Sequence, residues 1–449
     1  MAVPAKIESV DGRSLRRVVV SSAVGTAMEW YDFFLYVAGG TLLFDKLFFP
    51  QLSSAVGTMA ALGTLAVGSL SKPLGGLVFG HIGDRVGRKA TLVMTLLIMG
   101  VATTAVGLLP TAAVLGIWAP VLLIVLRFIQ GLAAGGEWGG SVLLVAEHTP
   151  ADRRGFFTSM TQSGIALGFL SATGIFALFS GVLTQHQFET WGWRIPFLAS
   201  ILLVALGLFM RLKVDETPEF TALQAQGKAE RAPIAEVLRD HRKSSLVTIG
   251  ARLGESGFSS LVQLAVLVYG VDELGISPTV ALLALMIGFG VEMITMVAFG
   301  WLSDRIGRRP VYMVGAVSAA LLAFPLIWML GTKDGVFLVL AVTLAFGIGH
   351  AGMIGVVPSF FTELFPANLR YSGMSVNLIS GGITAVFPLA ISALILWAGG
   401  SLWPIAGLTV LICLVGLASV YWADETHRPT HPDTPAAEPA TDVPVGSTR

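Results

Sequence analysis

Residues 80–89 read GHIGDRVGRK and residues 300–309 read GWLSDRIGRR, so one charged turn occurs twice, 220 positions apart. Each copy lies between long apolar segments. Two further motifs repeat in the same order: EHTPADRR at 147–154 matches ELFPANLR at 363–370, and DET occurs at 215–217 and at 424–426. Copies of equal orientation indicate two parallel halves that are related by an axis along the membrane normal.

The composition is that of an integral membrane protein. Hydrophobic residues make up 54% of the 449 residues, charged residues only 12%, and the mean hydropathy is +0.77, which a soluble domain of this length does not reach. A formal net charge of zero gives no support to a nucleic-acid partner, because phosphate binding needs clustered basic residues. The single cysteine, Cys413, cannot form an intramolecular disulfide, and its apolar surroundings predict a small buried side chain.

Charges and turn-forming residues divide the chain into twelve apolar segments, each near the roughly 20 residues that cross about 30 Å of hydrocarbon. The predicted spans are 18–43, 55–79, 90–109, 119–146, 157–183, 194–212, 244–271, 279–302, 310–330, 336–359, 372–398 and 402–423. We therefore predict an all-α integral membrane protein, with twelve transmembrane helices in two six-helix bundles and a central cavity between the halves. The predicted domains are an N-terminus at 1–17, bundles at 18–212 and 244–423, a central loop at 213–243 and a disordered tail at 424–449.

The distribution of lysine and arginine predicts the orientation. On the side that carries both termini and both repeated turns lie 22 of the 28 basic residues, whereas only Lys46 and Lys333 lie in the loops of the other side. Cytoplasmic loops are enriched in these residues. We therefore expect both termini in the cytoplasm. The first apolar segment contains Glu29 and Asp32 and lacks a small-residue cleavage signal, so it is predicted to be an uncleaved span rather than a signal peptide.

Five further motifs resemble a known transporter family. They are GTAMEWYDF at 25–33, PLGGLVFG at 73–80, RFIQGLAAGGEWG at 127–139, WGWRIPF at 191–197 and TELFP at 362–366. Together with the repeated turn, they resemble the major facilitator superfamily from about residue 17 to residue 424, and the first span looks like its metabolite:proton symporter branch. The sequences of these motifs are similar to those of shikimate and α-ketoglutarate permeases.

The resemblance implies proton-coupled import of a small polar metabolite by alternating access. It implies a monomer in the bacterial plasma (inner) membrane, with substrate and protons as its partners. Members of the branch import organic acids or, alternatively, proline and betaine. Osmosensing betaine importers often carry a C-terminal coiled coil, and the tail of this chain has no heptads, which favours an organic acid.

Ionisable residues within the spans are the candidate functional groups, because each costs at least about 2.5 to 3.5 kcal/mol at the bilayer centre without water or a partner. Glu29, Asp32 and Tyr36 share one face of the first span. Proton symport needs a carboxyl group whose proton affinity differs between two access states, and burial beside a movable cation provides that difference. Glu29 and Asp32 are therefore predicted to couple protons; the alternative is a structural pair that locks the first span to its neighbours.

The fourth span carries Arg127, Gln130 and Glu137 within an arc of about 80° at 100° per residue, so they are predicted to face one cavity. A guanidinium binds a carboxylate bidentately, which makes Arg127 the expected anchor for an acidic substrate. The alternative is an internal ion pair between Arg127 and Glu137. Arg252 and Gln263 share one face of the seventh span, since eleven residues make almost three turns. A substrate held between the halves must contact both halves, so Arg252 or Gln263 is predicted to bind it.

The predicted site residues fall into three groups. The predicted substrate-binding residues are Tyr36, Arg127, Gln130, Trp138, Gln162, Arg252, Gln263 and Asn377. The predicted proton-coupling residues are Glu29, Asp32, Glu137, Glu255, Glu292 and His350. The predicted gating residues are Asp84, Arg85, Arg88, Asp304, Arg305, Arg308 and Arg309. For Glu292, His350 and Asn377, the single polar residues of later spans, the alternative is an ordinary interhelical hydrogen bond.

The gating residues lie too close to the cytoplasm for a substrate site at the membrane midplane. They are suited to charge contacts that exist in one access state only, and such differential contacts are what bias a two-state equilibrium. Anchoring by the positive-inside rule explains the arginines but not the two aspartates. Lys72, near the inner end of the second span, is expected either to extend towards the interface or to join this latch.

Enzyme chemistry and ATP-driven transport lack a basis in the sequence. It contains no nucleotide-binding P-loop, no metal-ligand spacing and no catalytic triad pattern, so neither a cofactor nor a metal is expected. Three functions remain: an organic-acid:proton symporter, a symporter of zwitterions, and a membrane-embedded sensor that does not transport. Two intact latch motifs argue against the sensor. Drug efflux is remote, because the candidate cavity residues are more polar than a lipophilic drug requires.

Overall fold

The structure is a computed structural model that describes residues 12–225 and 233–427. Within these ranges the secondary structure is helical, and twelve long helical segments form two groups of six. The first six spans, which make up the N-terminal half, are Gly12–Leu42, Ser54–Val86, Arg88–Leu108, Trp118–His148, Arg154–Val182 and Arg194–Leu212.

The six spans of the C-terminal half include three that are interrupted. The eighth, ninth and twelfth spans are the helices Pro278–Ile306, Arg308–Gly331 and Trp403–Trp422. The seventh span joins helix Arg242–Leu264 to the π-helix Ala265–Glu273. The tenth span consists of Gly335–Leu344, the π-helix Ala345–His350, Ala351–Ile354 and Val357–Glu363. The eleventh consists of Arg370–Ser375, the 3₁₀-helix Val376–Leu378, Ile379–Thr384 and Phe387–Trp397.

Short helices lie between the spans. They are Phe44–Phe48, Ala112–Leu115, the 3₁₀-helix Ala151–Arg153, Gln185–Gln187 with the π-helix Phe188–Gly192, Pro218–Ala225 and Pro233–Asp240. The last two belong to the segment between the halves, where the sequence predicts a loop. Val237 of Pro233–Asp240 is buried in a cluster with Phe365, Leu369 and Val376, so this helix packs on the C-terminal half.

Nine helices of the described ranges are long and apolar enough to cross a membrane. The first, seventh and eleventh spans fall short of that test. The first and the seventh carry buried charges, such as Asp32 and Glu255, and the eleventh is broken into short pieces. The predicted all-α membrane fold with two six-helix bundles is confirmed, and polar side chains lower the hydropathy of two of the three exceptions.

Glycines allow helices of the two halves to cross closely. A Cβ atom on Gly80 of the second span would lie 3.1 Å from the Cα atom of Ser372 in the eleventh. Gly155 of the fifth span and Gly300 of the eighth face each other in the same way, because a Cβ on either would collide with the backbone oxygen of the other. Small residues at such crossings let backbones approach.

The ends of the chain differ in part from the expectation. The first helix begins at Gly12, within the segment that is predicted to be the N-terminus. Glu425, in the predicted tail, accepts hydrogen bonds from the backbone N–H groups of Arg308 and Arg309, so the start of the tail is fixed to the C-terminal half. The predictions for 1–11, 226–232 and 428–449 lie outside the described residues.

Candidate functional site

The repeated turn is a sharp junction between two consecutive spans. The second span ends at Val86 and the third begins at Arg88, with Gly87 between them at a φ of 128°. The eighth and ninth spans are joined in the same way by Gly307, at a φ of 103°. Residues other than glycine rarely adopt such a positive φ, which explains why the motif has a glycine at this position. We name the end of the bundle that carries both turns the turn end.

The repeated DET motif caps the helices that follow these turns. Glu216 accepts hydrogen bonds from the backbone N–H groups of Arg88 and Lys89, at 3.1 and 3.2 Å. Glu425 plays the same part at the start of the ninth span, at 2.9 and 3.0 Å. A carboxylate at a helix N-terminus is stabilised by free N–H groups and by the helix dipole.

The two motif aspartates bond across the interface between the halves. Asp84 accepts from the backbone N–H groups of Tyr371 and Ser372, at 3.2 and 2.9 Å, at the start of the eleventh span. Asp304 accepts from those of Gly155 and Phe156, both at 2.8 Å, at the start of the fifth span. Each half therefore supplies a carboxylate to a helix N-terminus of the other half.

The repeated Glu–Pro–Arg motif adds ion pairs between the halves. Glu147 lies 3.5 Å from Arg88 of its own half and 3.4 Å from Arg370 of the other. Glu363 lies 3.1 Å from Arg308 of its own half and 3.5 Å from Arg154 of the other. Arg88 also donates to the backbone oxygen of Ala367, at 2.9 Å. These reciprocal contacts close the interface at the turn end.

Three of the predicted gating residues make no such contact in this conformation. Arg85 is exposed and lies 3.3 Å from His81 of its own helix. Arg305 stacks on Trp301, with its guanidinium carbon 3.8 Å from the ring centroid. Arg309 donates to the backbone oxygens of Val420 and Tyr421. In the described part of the chain these contacts of the three arginines stay within one half, which differs from their predicted part in a latch between the halves.

We expect Asp84→Asn to shift the protein towards a conformation that is open at the turn end. The amide replaces a charged acceptor of two N–H groups, and charged hydrogen bonds contribute about 1.5–3 kcal/mol, so the equilibrium should move by roughly tenfold or more. Spin labels at Val86 and Ile306, on a Cys413→Ser background, report the separation of the halves. Asp152→Asn, an exposed control at the same end, should leave the distance distribution unchanged. An Asp84→Asn distribution identical to the wild type would remove the gating role.

A polar cleft lies among the first four spans. Its wall includes Glu29, Asp32, Lys72, Arg127 and Gln130. Lys72 is 2.9 Å from a carboxylate oxygen of Glu29, so it faces the cleft and pairs there, and the expectation that it extends to the interface or joins the latch is wrong. Glu29 and Asp32 have different partners, because Glu29 pairs with Lys72 whereas Asp32 accepts a hydrogen bond from Thr103.

Asp32 takes part in a buried hydrogen-bond chain. The hydroxyl of Thr103 lies 2.6 Å from Oδ2 of Asp32, and Nε2 of Gln130 donates to that hydroxyl, also at 2.6 Å. Asp32 and Gln130 thus meet through a threonine of the third span, for which the sequence predicted no substrate-binding or proton-coupling residue. These two hydrogen bonds fix the position of Asp32 between the first and fourth spans.

Arg127 lies against the ring of Tyr36, with its guanidinium carbon 3.2 Å from the ring centroid. Tyr36 itself is buried and hydrogen-bonded to Thr64. Nε and Nη2 of Arg127 are buried and have no hydrogen-bond partner within the described part of the chain. A guanidinium with free donors in a polar cleft is the arrangement expected of a site for a carboxylate or another acceptor.

Glu137 does not face this cleft, so the prediction that it shares a cavity with Arg127 is wrong. It forms an ion pair with Arg211 of the sixth span and accepts from Thr95 and Ser141, both at 3.1 Å. Ten residues separate Arg127 from Glu137, which is about 15 Å along a helix. Arg127 and Glu137 therefore lie on the same face of the helix but do not share a site. The alternative, an ion pair between these two residues, does not form either.

Trp138 marks the place where the two halves meet next to predicted substrate residues. Its ring nitrogen donates to the side-chain oxygen of Gln162, at 3.1 Å. The guanidinium carbon of Arg252, from the other half, lies 4.7 Å from the centroid of the Trp138 ring. A cation over an aromatic face is stabilised by the ring quadrupole. Three predicted substrate residues are thus brought together across the interface.

Glu255, His350 and Glu292 form one cluster rather than the separate polar residues that the sequence suggested. Nε2 of His350 lies 2.8 Å from Oε1 of Glu255, and Nδ1 is hydrogen-bonded to Oε1 of Glu292. Arg252 extends the cluster, since its Nη1 is 2.8 Å from Oε2 of Glu255. The seventh, eighth and tenth spans meet here.

The remaining two predicted substrate residues bond within their own helices. Gln263 donates to the hydroxyl of Ser259, at 3.1 Å. Asn377 is fully buried and donates to the backbone oxygen of Met374, while its own oxygen has no hydrogen-bond partner in the described part of the chain. Neither residue is part of the cleft of the first four spans. Among residues 12–225 and 233–427, no cluster of histidine, cysteine and carboxylate side chains is suited to a metal ion.

Several residues that complete these sites were missed. Thr103, Thr95 and Arg211 contact the predicted carboxylates but carry no periodic signal of their own, and Arg211 lies at the end of the predicted sixth span, 194–212. Glu147, Glu363, Arg154 and Arg370 form the ion pairs between the halves. The repeat of this Glu–Pro–Arg motif was visible in the sequence. It occurs in the same order as the repeat of the aspartate motif, and this was the signal that could have placed these four residues in the same latch.

Comparisons with known proteins agree with this architecture. The sequence model of the Major Facilitator Superfamily matches residues 33–387 and 246–446. The shikimate transporter of Escherichia coli is 39% identical over 421 residues, which cover 92% of this chain and 95% of that protein. The proline/betaine transporter of Salmonella typhimurium is 32% identical over 441 residues, which cover 95% of this chain and 87% of that protein.

A solved structure shares the fold. The proton:xylose symporter XylE bound to 6-bromo-6-deoxy-D-glucose superimposes with a TM-score of 0.74, at 19% sequence identity. The superposition covers 93% of this chain and 97% of the other. At this level of identity the likeness extends to the arrangement of the helices and no further.

Proposed function

Because this chain belongs to the major facilitator superfamily, whose members are transporters and not enzymes, we propose that it is a secondary active transporter that imports a small organic acid together with protons. It works by alternating access, as a monomer in the bacterial plasma membrane. The observation that carries the proposal is the buried guanidinium of Arg127, which has two unbonded nitrogen atoms and faces a polar cleft beside Asp32.

The chemistry of the cleft supports an acidic substrate. Arg127 can donate two parallel hydrogen bonds to a carboxylate, a geometry that lysine cannot offer. Gln130 and Lys72 add donors for hydroxyl or carbonyl oxygens. Trp138, Gln162 and Arg252 provide a second set of contacts where the halves meet. A compact, oxygen-rich acid such as shikimate or a dicarboxylate is complementary to these groups.

Asp32 is the proposed proton carrier of the N-terminal half. A carboxyl group that is buried beside a cation changes its proton affinity when that cation engages another anion. Arg127 is such a cation, because a bound substrate carboxylate competes with Asp32 for it. Substrate binding then favours protonation of Asp32, so the two events are linked in the sense that symport requires.

The distribution of basic residues supports an orientation with both termini, and hence the turn end, in the cytoplasm. The aspartate and glutamate contacts that close the turn end then close the cytoplasmic side. In this conformation the substrate site is sealed from the cytoplasm. Release into the cell requires these contacts to break, and they are the ones that Asp84 and Asp304 provide.

A zwitterion:proton symporter of the same fold is the second candidate. The observation in its favour is the similarity to the proline/betaine transporter of Salmonella typhimurium over 95% of this chain. A zwitterion also has a carboxylate for Arg127, and Glu29 offers a negative charge to its cationic end. The greater identity to a shikimate transporter, 39% against 32%, favours the organic acid.

Counterflow in proteoliposomes tests the substrate class, because it needs no driving force. Vesicles are loaded with one unlabelled compound and diluted into trace amounts of the same compound in labelled form: shikimate, α-ketoglutarate, glycine betaine or proline. We expect accumulation of labelled shikimate or α-ketoglutarate, and none in protein-free vesicles. Counterflow of glycine betaine or proline alone would replace the first candidate by the second, and counterflow of none of the four would contradict both.

A further inference from the structure

We propose that Glu255, His350 and Glu292 form a second proton-binding site, in the C-terminal half, which transports a proton in addition to that of Asp32. The inference rests on the proposed proton symport and deepens it. The cluster joins the seventh, tenth and eighth spans. Each of the three side chains is at most 6% exposed, so these groups bond to one another rather than to water.

The hydrogen bonds of His350 imply a stored proton. A carboxylate oxygen only accepts, and a neutral imidazole has a single N–H group. Both ring nitrogens of His350 nevertheless lie at hydrogen-bonding distance from a carboxylate oxygen. An imidazolium, with two N–H groups, satisfies both contacts. The geometry therefore fits one proton more than a neutral histidine between two carboxylates.

The charge balance of the cluster also favours one bound proton. With a neutral imidazole, Arg252, Glu255 and Glu292 carry a net charge of minus one in a buried position, and an uncompensated buried charge is strongly unfavourable. One bound proton makes the group neutral. The other titratable groups on the packed helices are Tyr312, whose hydroxyl donates to the backbone oxygen of Ala251, and the buried Cys413; both are uncharged in their ordinary state.

Arg252 connects this cluster to the movement of the halves. In the conformation that is closed at the turn end, its guanidinium lies on Trp138 of the N-terminal half. Its Nη1 forms an ion pair with Oε2 of Glu255 at 2.8 Å, but the contact lacks hydrogen-bond geometry, and neither atom has another hydrogen-bond partner within the described part of the chain. When the halves separate at the turn end, Arg252 loses the aromatic ring and is free to bond fully to Glu255. A stronger cation at Glu255 lowers the proton affinity of the cluster.

The proton is therefore bound in one access state and released in the other. It binds to the imidazole from the side opposite the turn end, forming one N–H bond. It leaves towards the turn end when that bond breaks, and no electron is transferred. The tenth span allows His350 to move: a π-helix ends at this residue, it contains Gly347 and Gly349, and Gly355 follows five residues after His350. Such π segments frequently accompany functional sites.

A second proton has a measurable electrical consequence. One proton with a monoanion moves no net charge, whereas two protons with a monoanion carry one positive charge inward. A membrane potential of about 100 mV contributes about 2.3 kcal/mol per charge, which corresponds to roughly fiftyfold accumulation. The number of protons thus decides whether the potential alone can drive uptake.

The test measures shikimate uptake into proteoliposomes with equal pH on both sides and an imposed inside-negative potential of about 100 mV. We expect accumulation of up to about fiftyfold by the wild type. Glu292→Gln, which makes the cluster neutral without the extra proton, should lose this response but keep uptake driven by a pH gradient. Glu189→Gln, a control that alters a partly exposed carboxylate paired with Lys46 rather than with the cluster, should behave as the wild type.

The outcomes separate the two proposals. If a pH gradient drives wild-type uptake and the potential does not, or if Glu292→Gln still responds to the potential, the second proton site is contradicted and the proposed function stands. If neither gradient drives uptake, the proposed function fails. Should shikimate not be transported at all, the state of His350 can be measured without any substrate.

That measurement is ¹⁵N NMR of histidine-labelled protein in liposomes at about pH 8, where an ordinary histidine is neutral. His350 is identified by the signals missing from His350→Gln. His148 is the matched control, because it is buried to the same extent and its ring faces the backbone oxygen of Leu144. We expect both nitrogens of His350 to be protonated in the wild type and only one in Glu292→Gln, with His148 unchanged. A neutral His350 in the wild type would overturn the inference.

Discussion

Replacing Arg127 by alanine is expected to weaken substrate binding by at least about 100-fold. The guanidinium donates two hydrogen bonds to a carboxylate in the proposed complex, and hydrogen bonds to charged groups contribute about 1.5–3 kcal/mol each. Losing both costs about 3–6 kcal/mol, which exceeds two orders of magnitude in affinity. Equilibrium binding of labelled shikimate to purified protein measures this loss directly.

Two further variants distinguish the geometry of the anchor from its charge. Arg127→Lys keeps the charge but not the bidentate fork, so we expect it to recover only part of the affinity. Arg85→Ala removes an exposed arginine that contacts its own helix, and it should bind as the wild type does. Full affinity in Arg127→Ala would exclude this residue as the carboxylate anchor and would direct attention to Arg252.

Replacing Asp32 by asparagine is expected to reduce concentrative uptake while sparing exchange. The amide fills nearly the same volume and can still accept from Thr103, so the cleft should keep its shape. It cannot bind and release a proton, however, and the coupling that depends on Asp32 is lost. We expect counterflow within a few-fold of the wild type. Under a pH gradient of one unit at zero membrane potential, accumulation should fall from about 100-fold to about tenfold, because only the proton of the Glu255, His350 and Glu292 cluster remains coupled.

The conservative control for this experiment is Asp240→Asn, which alters an exposed carboxylate that pairs with Arg239. Its uptake should match the wild type under both conditions. Accumulation by Asp32→Asn equal to that of the wild type would show that Asp32 does not couple the proton. If exchange were lost as well, the carboxylate would be required for the substrate site itself.

The architecture was predictable because the repeated motifs and the hydropathy pattern of the sequence both indicate it. The turn around Asp84 and its copy around Asp304 identified the two halves, and the structure places both aspartates at their interface. The function of Gly87 also follows locally, since its position between two helices requires a positive φ. These features depend on short segments of the chain and on their order.

The contacts within the sites could not be predicted in the same way. His350 is 58 residues from Glu292 and 95 from Glu255, and no periodicity within one helix reports which side chain of another helix will face it. Glu137 shows the opposite error: the helical arc was right, but about 15 Å of axial separation put it next to Arg211 instead. Angular position limits the possible partners of a residue, and tertiary packing selects among them.

The interruptions of the spans could not be predicted from the sequence either. A continuous apolar run predicted one helix at 336–359, whereas the tenth span has a π segment that ends at His350. The glycines around it were visible, but the sequence contains 52 glycines, and most of them serve ordinary packing or turns. The break acquires meaning only because it lies beside two buried carboxylates.

Accumulation of shikimate under a pH gradient tests the central claim most directly. Proteoliposomes are held at zero membrane potential with the outside one pH unit more acidic, and the internal and external concentrations are compared at steady state. One coupled proton predicts about tenfold accumulation and two predict about 100-fold, and a protonophore should abolish either. Equal concentrations on both sides, from vesicles that show shikimate counterflow, would contradict proton-coupled transport by this protein.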